Sequence, residues 1–188
     1  PMNGCENEPY NLVGIGFGPS NLSLAIALEE YRANGMENET RSAFFERQTS
    51  FGWHRNMLLP SATMQISFLK DLVTFRNPTS SFSFISYLHA SGRLAQFVNN
   101  QDFFPTRQEF HHYLEWAQAR VADRVAFGST VTSIRLPSGA DPELADRLQL
   151  TVTDPAARAG RVVEARNVVI STGLVPSMPV GAERDERV

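Results

Sequence analysis

Six residues near the start of the chain, Gly14-Ile15-Gly16-Phe17-Gly18-Pro19, limit its fold more than any others. They follow a short apolar run, Tyr10 to Gly14, and precede a stretch from Pro19 to about Ala33 that is apolar nearly all round, through Leu22, Leu24, Ala25, Ile26 and Leu28. That order reads as buried strand, glycine turn and core helix. Such a turn aims backbone N–H groups and the positive end of a helix at one point, the arrangement that holds a dinucleotide pyrophosphate. The first glycine allows the turn and the second lets phosphate approach; the third position of G-x-G-x-x-G is Pro19, which costs little at a helix start. A ligand-free strand-to-helix corner is the plain alternative.

After a polar loop (Asn34, Gly35, Glu37, Asn38, Glu39), Ser42 to Glu46 predicts a second strand ending in an acid, which makes a parallel β-α-β opening. Glu46 is placed to accept hydrogen bonds from the ribose hydroxyls of an adenosine, although a solvated charge at a strand end is common. Further on, β-type runs at Val131 to Leu136, Leu148 to Thr153 and Arg161 to Glu164 are broken by Pro137, Gly139, Pro142, Pro155 and Gly160. They predict an antiparallel meander, and Val168 to Thr172 a buried return strand. A meander followed by a return strand favours FAD over NAD.

Between these parts, Arg47 to Gln65 is irregular but rich in large side chains (Phe51, Trp53, His54, Met57, Met64), so it is expected to cover something. Trp53 and His54 suit either loop packing or a wall beside a flavin ring. Helices are expected at about Phe68 to Thr74, Ser83 to Ser91 and Thr106 to Val121, the last with Thr106 and Glu109 at capping-box spacing and an inward stripe of Phe110, Tyr113, Leu114, Ala117 and Val121. Lys70, a lone cation among apolar neighbours, is either an ion-pair partner of Asp71 or a ligand for a substrate carboxylate. His111 and His112 are neighbours on a helix and point apart, so no shared metal is expected.

Composition excludes several classes. At 42% hydrophobic and 20% charged residues the 188-residue chain belongs with soluble globular proteins, and 13 Phe suggest a core of flat surfaces. A net charge of −3 offers no broad footprint for nucleic acid or anionic lipid, so neither is an expected partner. No apolar run approaches the roughly 18 residues of a membrane span, and no leader precedes the first strand. The single cysteine, Cys5, permits no intrachain disulfide and fits a reducing compartment, the cytoplasm by default. Pro1, ahead of Met2, reads as an added residue.

The blocks Gly14 to Leu22, Phe51-Gly52-Trp53-His54 and Met64 to Leu72 resemble the flavin-dependent N-hydroxylating monooxygenases of siderophore biosynthesis, and the ornithine hydroxylases among them most. Arg76 to Ser80, Phe103 to Arg107 and Val169 to Gly173 extend the likeness, and the family tends to carry proline where Pro19 stands. The resemblance implies an α/β fold: a doubly wound, Rossmann-like FAD-binding domain of parallel sheet plus antiparallel meander, with a helical insertion. It implies that Gly14, Gly16, Gly18, Pro19, Ser20 and Asn21 cradle the pyrophosphate. Glu46, Arg47, Gln48, Trp53 and His54 would run along the cofactor, Met64 and Gln65 would lie near the flavin, and the Val131 backbone would face the adenine side. Lys70 would hold the amino-acid substrate; no catalytic residue and no metal ligand is assigned.

The implied reaction uses FAD, NADPH and molecular oxygen to hydroxylate the side-chain amine of L-ornithine. Lysine or a diamine such as putrescine is the rival substrate, and a non-catalytic flavin-binding module the rival from another class. The resemblance also implies a homo-oligomer, a tetramer being one form. The expected organisation is a disordered tail over 1–9, an FAD-binding domain over 10–180 with the insertion at about 66–122, and the start of a linker over 181–188. The NADPH domain is expected to be absent from this chain, which alone would then be inactive.

Overall fold

The computed structural model describes residues 8–35, 40–154 and 160–174. Residues 1–7 of the expected tail, Cys5 among them, lie outside the described residues, as do 36–39 of the polar loop, the end of the expected FAD-binding domain after Leu174 and the expected linker over 181–188.

The opening forms as its sequence dictates: β1 spans Tyr10–Ile15, α1 Pro19–Ala33 and β2 Ser42–Glu46. β1 and β2 pair in parallel with Val13 opposite Ala43. Pro19 occupies the first turn of α1, and from Asn21 to Glu30 no residue of the helix is exposed. Leu22, Ala25 and Ile26 pack with Phe44 of β2, so apolar burial rather than propensity holds this helix.

Four further strands, β3 (Val125–Phe127), β4 (Thr130–Arg135), β5 (Leu148–Thr153) and β6 (Arg161–Ile170), complete one six-stranded sheet in the order β3-β2-β1-β6-β5-β4. β3, three residues long and parallel to β2, is too short to carry a readable period. The meander is present, but the two runs expected at 161–164 and 168–172 are a single strand. Ala165 is the pivot, opposite Leu148 of antiparallel β5 and Tyr10 of parallel β1. Arg166 and Asn167, polar residues between the two runs, are exposed, and Asn167 Nδ2 donates to the Asn11 carbonyl at 2.9 Å. The return end is also less buried than expected: Val168 leans on a core, whereas Ile170 is 63% exposed.

Two cores flank the sheet. One joins α1 and β2 to the residues that follow β2; the other joins Val13, Ala43 and Phe45 to Leu150, Val152, Val163 and Ala165. No helix contributes to the second core among the described residues. In place of the second helical layer of a doubly wound sheet, the meander curls over that face, and β4 approaches β2.

The insertion between β2 and β3 holds α2 (Phe84–Ala90), α3 (Leu94–Asn99) and α4 (Arg107–Ala119). α3, six residues long, has no fully buried side chain and leans on the core only through half-buried Leu94 and Phe97. α2 is capped by Ser83 Oγ, which accepts from Ser86 N–H at 3.1 Å, and α4 by Thr106 Oγ1, which accepts from Glu109 N–H at 3.1 Å. The reciprocal half of the capping box is missing because the Glu109 carboxylate is engaged elsewhere: it accepts from Tyr87 Oη at 2.8 Å and pairs with Arg93 at 2.6 Å. Burial, aided by Glu109, pushes the Tyr87 phenol up to about 12.

The inward stripe of α4 meets other rings, with Phe84 5.9 Å from Phe110 and 5.3 Å from Tyr113 between centroids, so the flat surfaces expected of the core are real. No helix is long and apolar enough to cross a membrane among the described residues.

The helix expected at 68–74 does not form. Apolar spacing suggests it, but Asp71 Oδ1 accepts the N–H groups of Val73 (3.0 Å) and Thr74 (2.7 Å), a local side-chain alternative to helical bonding. The segment is a series of turns.

Candidate functional site

The parallel strands end together at Ile15, Glu46, Phe127 and Ile170, and the loops leaving them converge, as at the ligand crevice of open α/β sheets. The glycine turn is held from three sides. Gly16 N–H donates to the Phe45 carbonyl (2.8 Å), Phe17 N–H to Glu46 Oε2 (2.7 Å), and Ser171 N–H to the Ile15 carbonyl (2.8 Å). Gly16 has φ +83°, and a Cβ there would collide with the Ser171 carbonyl; a Cβ on Gly14 would overlap the Phe44 ring. At both positions glycine is therefore required by the fold itself.

Gly18 differs. As the N-cap of α1 it has φ −79°, which any residue adopts, and a Cβ on it would meet no atom of the chain within 4 Å. No side chain caps α1 and its first turn holds no acid, so its first N–H groups face outward without a side-chain partner. Ser20 is exposed beside them. Asn21 is buried and does a different job: its Nδ2 donates to the Gly16 (2.7 Å) and Ile15 (3.3 Å) carbonyls, while its Oδ1 accepts from the Ser171 hydroxyl at 3.3 Å. It shapes the turn from behind.

Glu46 stands at the end of β2, half-buried, with Oε2 on Phe17 N–H and Oε1 accepting Gln48 N–H at 2.9 Å. Each oxygen keeps a lone pair for a further donor. Arg47 and Gln48 are exposed, and the Gln48 carbonyl accepts Gly128 N–H at 2.8 Å, which joins the β3–β4 turn to the site. Val131 lies on β4 opposite Val152, where the register shifts, with its side chain on the second core.

The loop after β2 is well anchored despite its irregular path. Arg55 closes it on Ser50 and Phe51, and the backbone at 62–68 is bound to the stretch before α4: Met64 N–H donates to the Pro105 carbonyl (2.9 Å), Phe68 N–H to Phe103 (3.0 Å) and Arg107 N–H to Ala62 (2.8 Å). Trp53 packs 4.9 Å from exposed His54, itself at φ +47°, and 5.8 Å from Phe110. Met64 is buried and Gln65 exposed.

Lys70 is exposed and, among the described residues, makes no ion pair, with Asp71 or with any other acid. The ion-pair alternative is thereby removed. Asp71 is fully engaged: besides Val73 and Thr74 N–H, its Oδ2 accepts from Thr74 Oγ1 (2.8 Å) and from Phe84 N–H (2.7 Å). The Leu72 carbonyl accepts the Ser23 hydroxyl of α1 at 2.7 Å. Lys70 and Asn21 each stand two residues before one end of that bond, so this exposed cation is fastened to the helix that follows the glycine turn. The Tyr113 hydroxyl accepts Leu72 N–H (3.2 Å) and donates to the Phe82 carbonyl (3.0 Å). Burial, with the Asp71 charge adding, raises the Tyr113 phenol far above its ordinary value, which keeps it able to donate.

His111 and His112 do point apart. His111 is buried against Phe51, 6.1 Å between rings, with Nε2 3.3 Å from Glu115; His112 is exposed. No cluster of metal-binding side chains occurs among the described residues. Sequence pattern does not single out Phe17, whose N–H binds Glu46, nor Gly128, Ser129 and Ser171, which only the strand order brings to the crevice. Glycine or serine directly after β1, β3 and β6 is the available signal, whereas β2 is followed by Arg47. Taken together, the collision-limited turn, the uncapped N–H groups, the open space at Gly18 and the acid at the β2 end fit a dinucleotide such as FAD.

A family model described as L-lysine 6-monooxygenase/L-ornithine 5-monooxygenase matches residues 8–188. The L-ornithine N(5)-monooxygenase of Burkholderia cepacia is 45% identical over 170 residues, which cover 90% of this chain and 37% of that protein. The structure of the ornithine N-hydroxylase of Kutzneria sp. 744, with reduced FAD, NADP+ and L-ornithine, matches with a TM-score of 0.86 at 56% identity, over 95% of this chain and 41% of that one. The FAD-bound cadaverine monooxygenase of Erwinia amylovora, from desferrioxamine biosynthesis, matches with a TM-score of 0.80 at 30% identity, over 93% of this chain and 38% of that one. The chain thus spans about two-fifths of the length of these relatives.

Proposed function

Since the chain belongs to the L-lysine 6-monooxygenase/L-ornithine 5-monooxygenase family, we propose that it forms the FAD-binding and substrate-holding portion of an L-ornithine N5-hydroxylase. NADPH and molecular oxygen are its co-substrates, the product is a precursor of siderophore hydroxamates, and the rest of the relatives' length would carry the nicotinamide site. The observation that carries the proposal is Lys70: a cation without an ion-pair partner among the described residues, on a loop fastened to the helix whose first N–H groups have no side-chain cap.

Bound FAD supplies the redox chemistry of oxygen transfer to an amine. The protein's part is placement. The outward N–H groups of Gly18, Ser20 and Asn21 hold the pyrophosphate, Pro19 having none to give, with Gly18 leaving room for it and Asn21 fixing the turn from inside. Glu46 offers its spare lone pairs to the ribose, and the Val131 backbone borders the adenine. Arg47, Gln48, Trp53, His54, Met64 and Gln65 line the way to the flavin ring. Lys70 Nζ donates to the α-carboxylate of ornithine and so sends the far amine towards the ring, a gain in orientation.

Ornithine is favoured over a diamine for a chemical reason: putrescine and cadaverine carry no carboxylate for Lys70 to hold. The likeness runs the same way, at 56% identity to the ornithine hydroxylase against 30% to the cadaverine enzyme. The test is NADPH-dependent hydroxylamine formation by the full-length enzyme with ornithine, lysine and putrescine. Ornithine should be used with the highest kcat/KM. Preference for putrescine would overturn the substrate, and flavin binding without hydroxylamine from any amine would support a non-catalytic module.

A further inference from the structure

Lys70 sits in neither helix nor strand, so its direction has to be set by other means. The Asp71 side chain and the Leu72 backbone, next in line, are engaged in a way that sets it. Asp71 receives four donors: Val73 N–H (3.0 Å) and Thr74 N–H (2.7 Å) on Oδ1, Thr74 Oγ1 (2.8 Å) and Phe84 N–H (2.7 Å) on Oδ2. Three of these close the local turn. The fourth crosses thirteen residues to the first residue of α2. Leu72 then passes the placement on, its N–H to Tyr113 of α4 (3.2 Å) and its carbonyl to Ser23 of α1 (2.7 Å).

We propose that Asp71 is a positioning residue for Lys70: by clamping the loop to α2, with Leu72 tied to Ser23 of α1, it sets where the ammonium stands relative to the cofactor cradle. This inference rests on the reading that Lys70 holds the substrate carboxylate. A carboxylate directly beside a lysine ordinarily competes with the substrate's carboxylate for the ammonium. Here four donors saturate Asp71, so the adjacent acid stiffens the loop and leaves Lys70 free for an external carboxylate. The four partners also explain why an acid is needed. All are donors, and they require acceptors on both oxygens. In Asp71→Asn the amide oxygen can keep the local turn, but the NH2 group then faces Phe84 N–H, donor against donor, and the clamp opens.

The test is a double-mutant cycle in the full-length enzyme, with Asp71→Asn made in the parent and in Lys70→Ala. Ornithine KM, NADPH KM, flavin content and melting temperature are read on every preparation. Asp71→Asn should raise the ornithine KM about tenfold, as expected when one charge-assisted hydrogen bond to the substrate is misdirected, with flavin content and NADPH KM at parent values. In the Lys70→Ala background the same change should leave ornithine KM where it already stands, because the group to be aimed is gone. An unchanged ornithine KM in Asp71→Asn, or an equal rise in both backgrounds, would overturn the inference.

If Asp71→Asn fails to fold, Ser23→Ala decides. It removes one bond between the loop and α1, and should raise ornithine KM about threefold in the parent and not at all in Lys70→Ala, in keeping with a single neutral hydrogen bond. No rise, or a rise in both backgrounds, again counts against the inference. Lys70→Ala alone separates the two layers: a parent-like ornithine KM there defeats the reading of Lys70 itself, whereas a raised KM beside an unaffected Asp71→Asn defeats only the role of Asp71.

Discussion

In the cradle the backbone decides, and in the Lys70 loop the side chains do. Gly16 sits at φ +83° with a neighbouring carbonyl where a Cβ would go, and Gly14 lies under the Phe44 ring, so atoms must be left out for the turn to exist. The segment from Ser67 to Asn77 has no regular hydrogen-bond ladder, and Asp71, Tyr113 and Ser23 supply the partners that a helix or sheet would have provided. A cradle should therefore be broken by adding atoms, and a braced loop by removing polar ones.

The largest effect should come from Gly16→Val. A β-branched residue at positive φ meets the Ser171 backbone, which has no side chain to move aside. Flavin absorbance per polypeptide should fall to background, and a variant that keeps the flavin would show that this turn does not form the cradle. Next comes Tyr113→Phe, which keeps the ring but strands Leu72 N–H and the Phe82 carbonyl. Two backbone groups without partners, one buried and one half-buried, should cost about 2–4 kcal/mol in chemical denaturation. A decrease under about 0.5 kcal/mol would mean that the loop is not held as described, since a typical net hydrogen bond is worth at least that.

The smallest expected effect sharpens the contrast most. Gly18→Ala adds one methyl into space that the chain itself leaves empty, at a φ open to any residue. Melting temperature without added flavin should match the parent, while FAD binding should weaken about tenfold, as when a methyl is forced against a closely packed neighbour. If FAD affinity is unchanged, the space beyond Gly18 is not where the cofactor lies.

The two regions also differ in how far the sequence discloses them. α1 and β2 have the bounds their local patterns predict and β1 runs one residue past the expected Gly14, because a glycine turn and a buried helix are decided within a few residues. The candidate site residues there, Gly16 and Glu46, are legible for the same reason. In the insertion, Phe68, Leu69, Leu72 and Val73 have helical spacing, yet the Asp71 carboxylate redirects the backbone through Phe84, thirteen residues away, and no local window contains that partner. Glu109 fails as a capping-box member through Tyr87 and Arg93, equally remote. In β6, Arg166 and Asn167 have the sequence character of a break because they are polar, whereas both are exposed and continue the strand. The clustering of Gly128, Ser129 and Ser171 at the crevice depends on strand order, which periodicity does not encode.

The division of labour between cradle and loop is tested most directly by Lys70→Ala in the full-length enzyme, with ornithine KM, flavin content and melting temperature taken on one preparation. Removing a charge-assisted hydrogen bond worth about 1.5–3 kcal/mol should raise the ornithine KM roughly ten- to a hundredfold. Flavin content and melting temperature should stay at parent values, since Lys70 is exposed and pairs with no acid among the described residues. If the lysine also aligns the amine, kcat should fall as well. A parent-like ornithine KM together with a lowered melting temperature would contradict the account, because Lys70 would then be holding the fold and not the substrate.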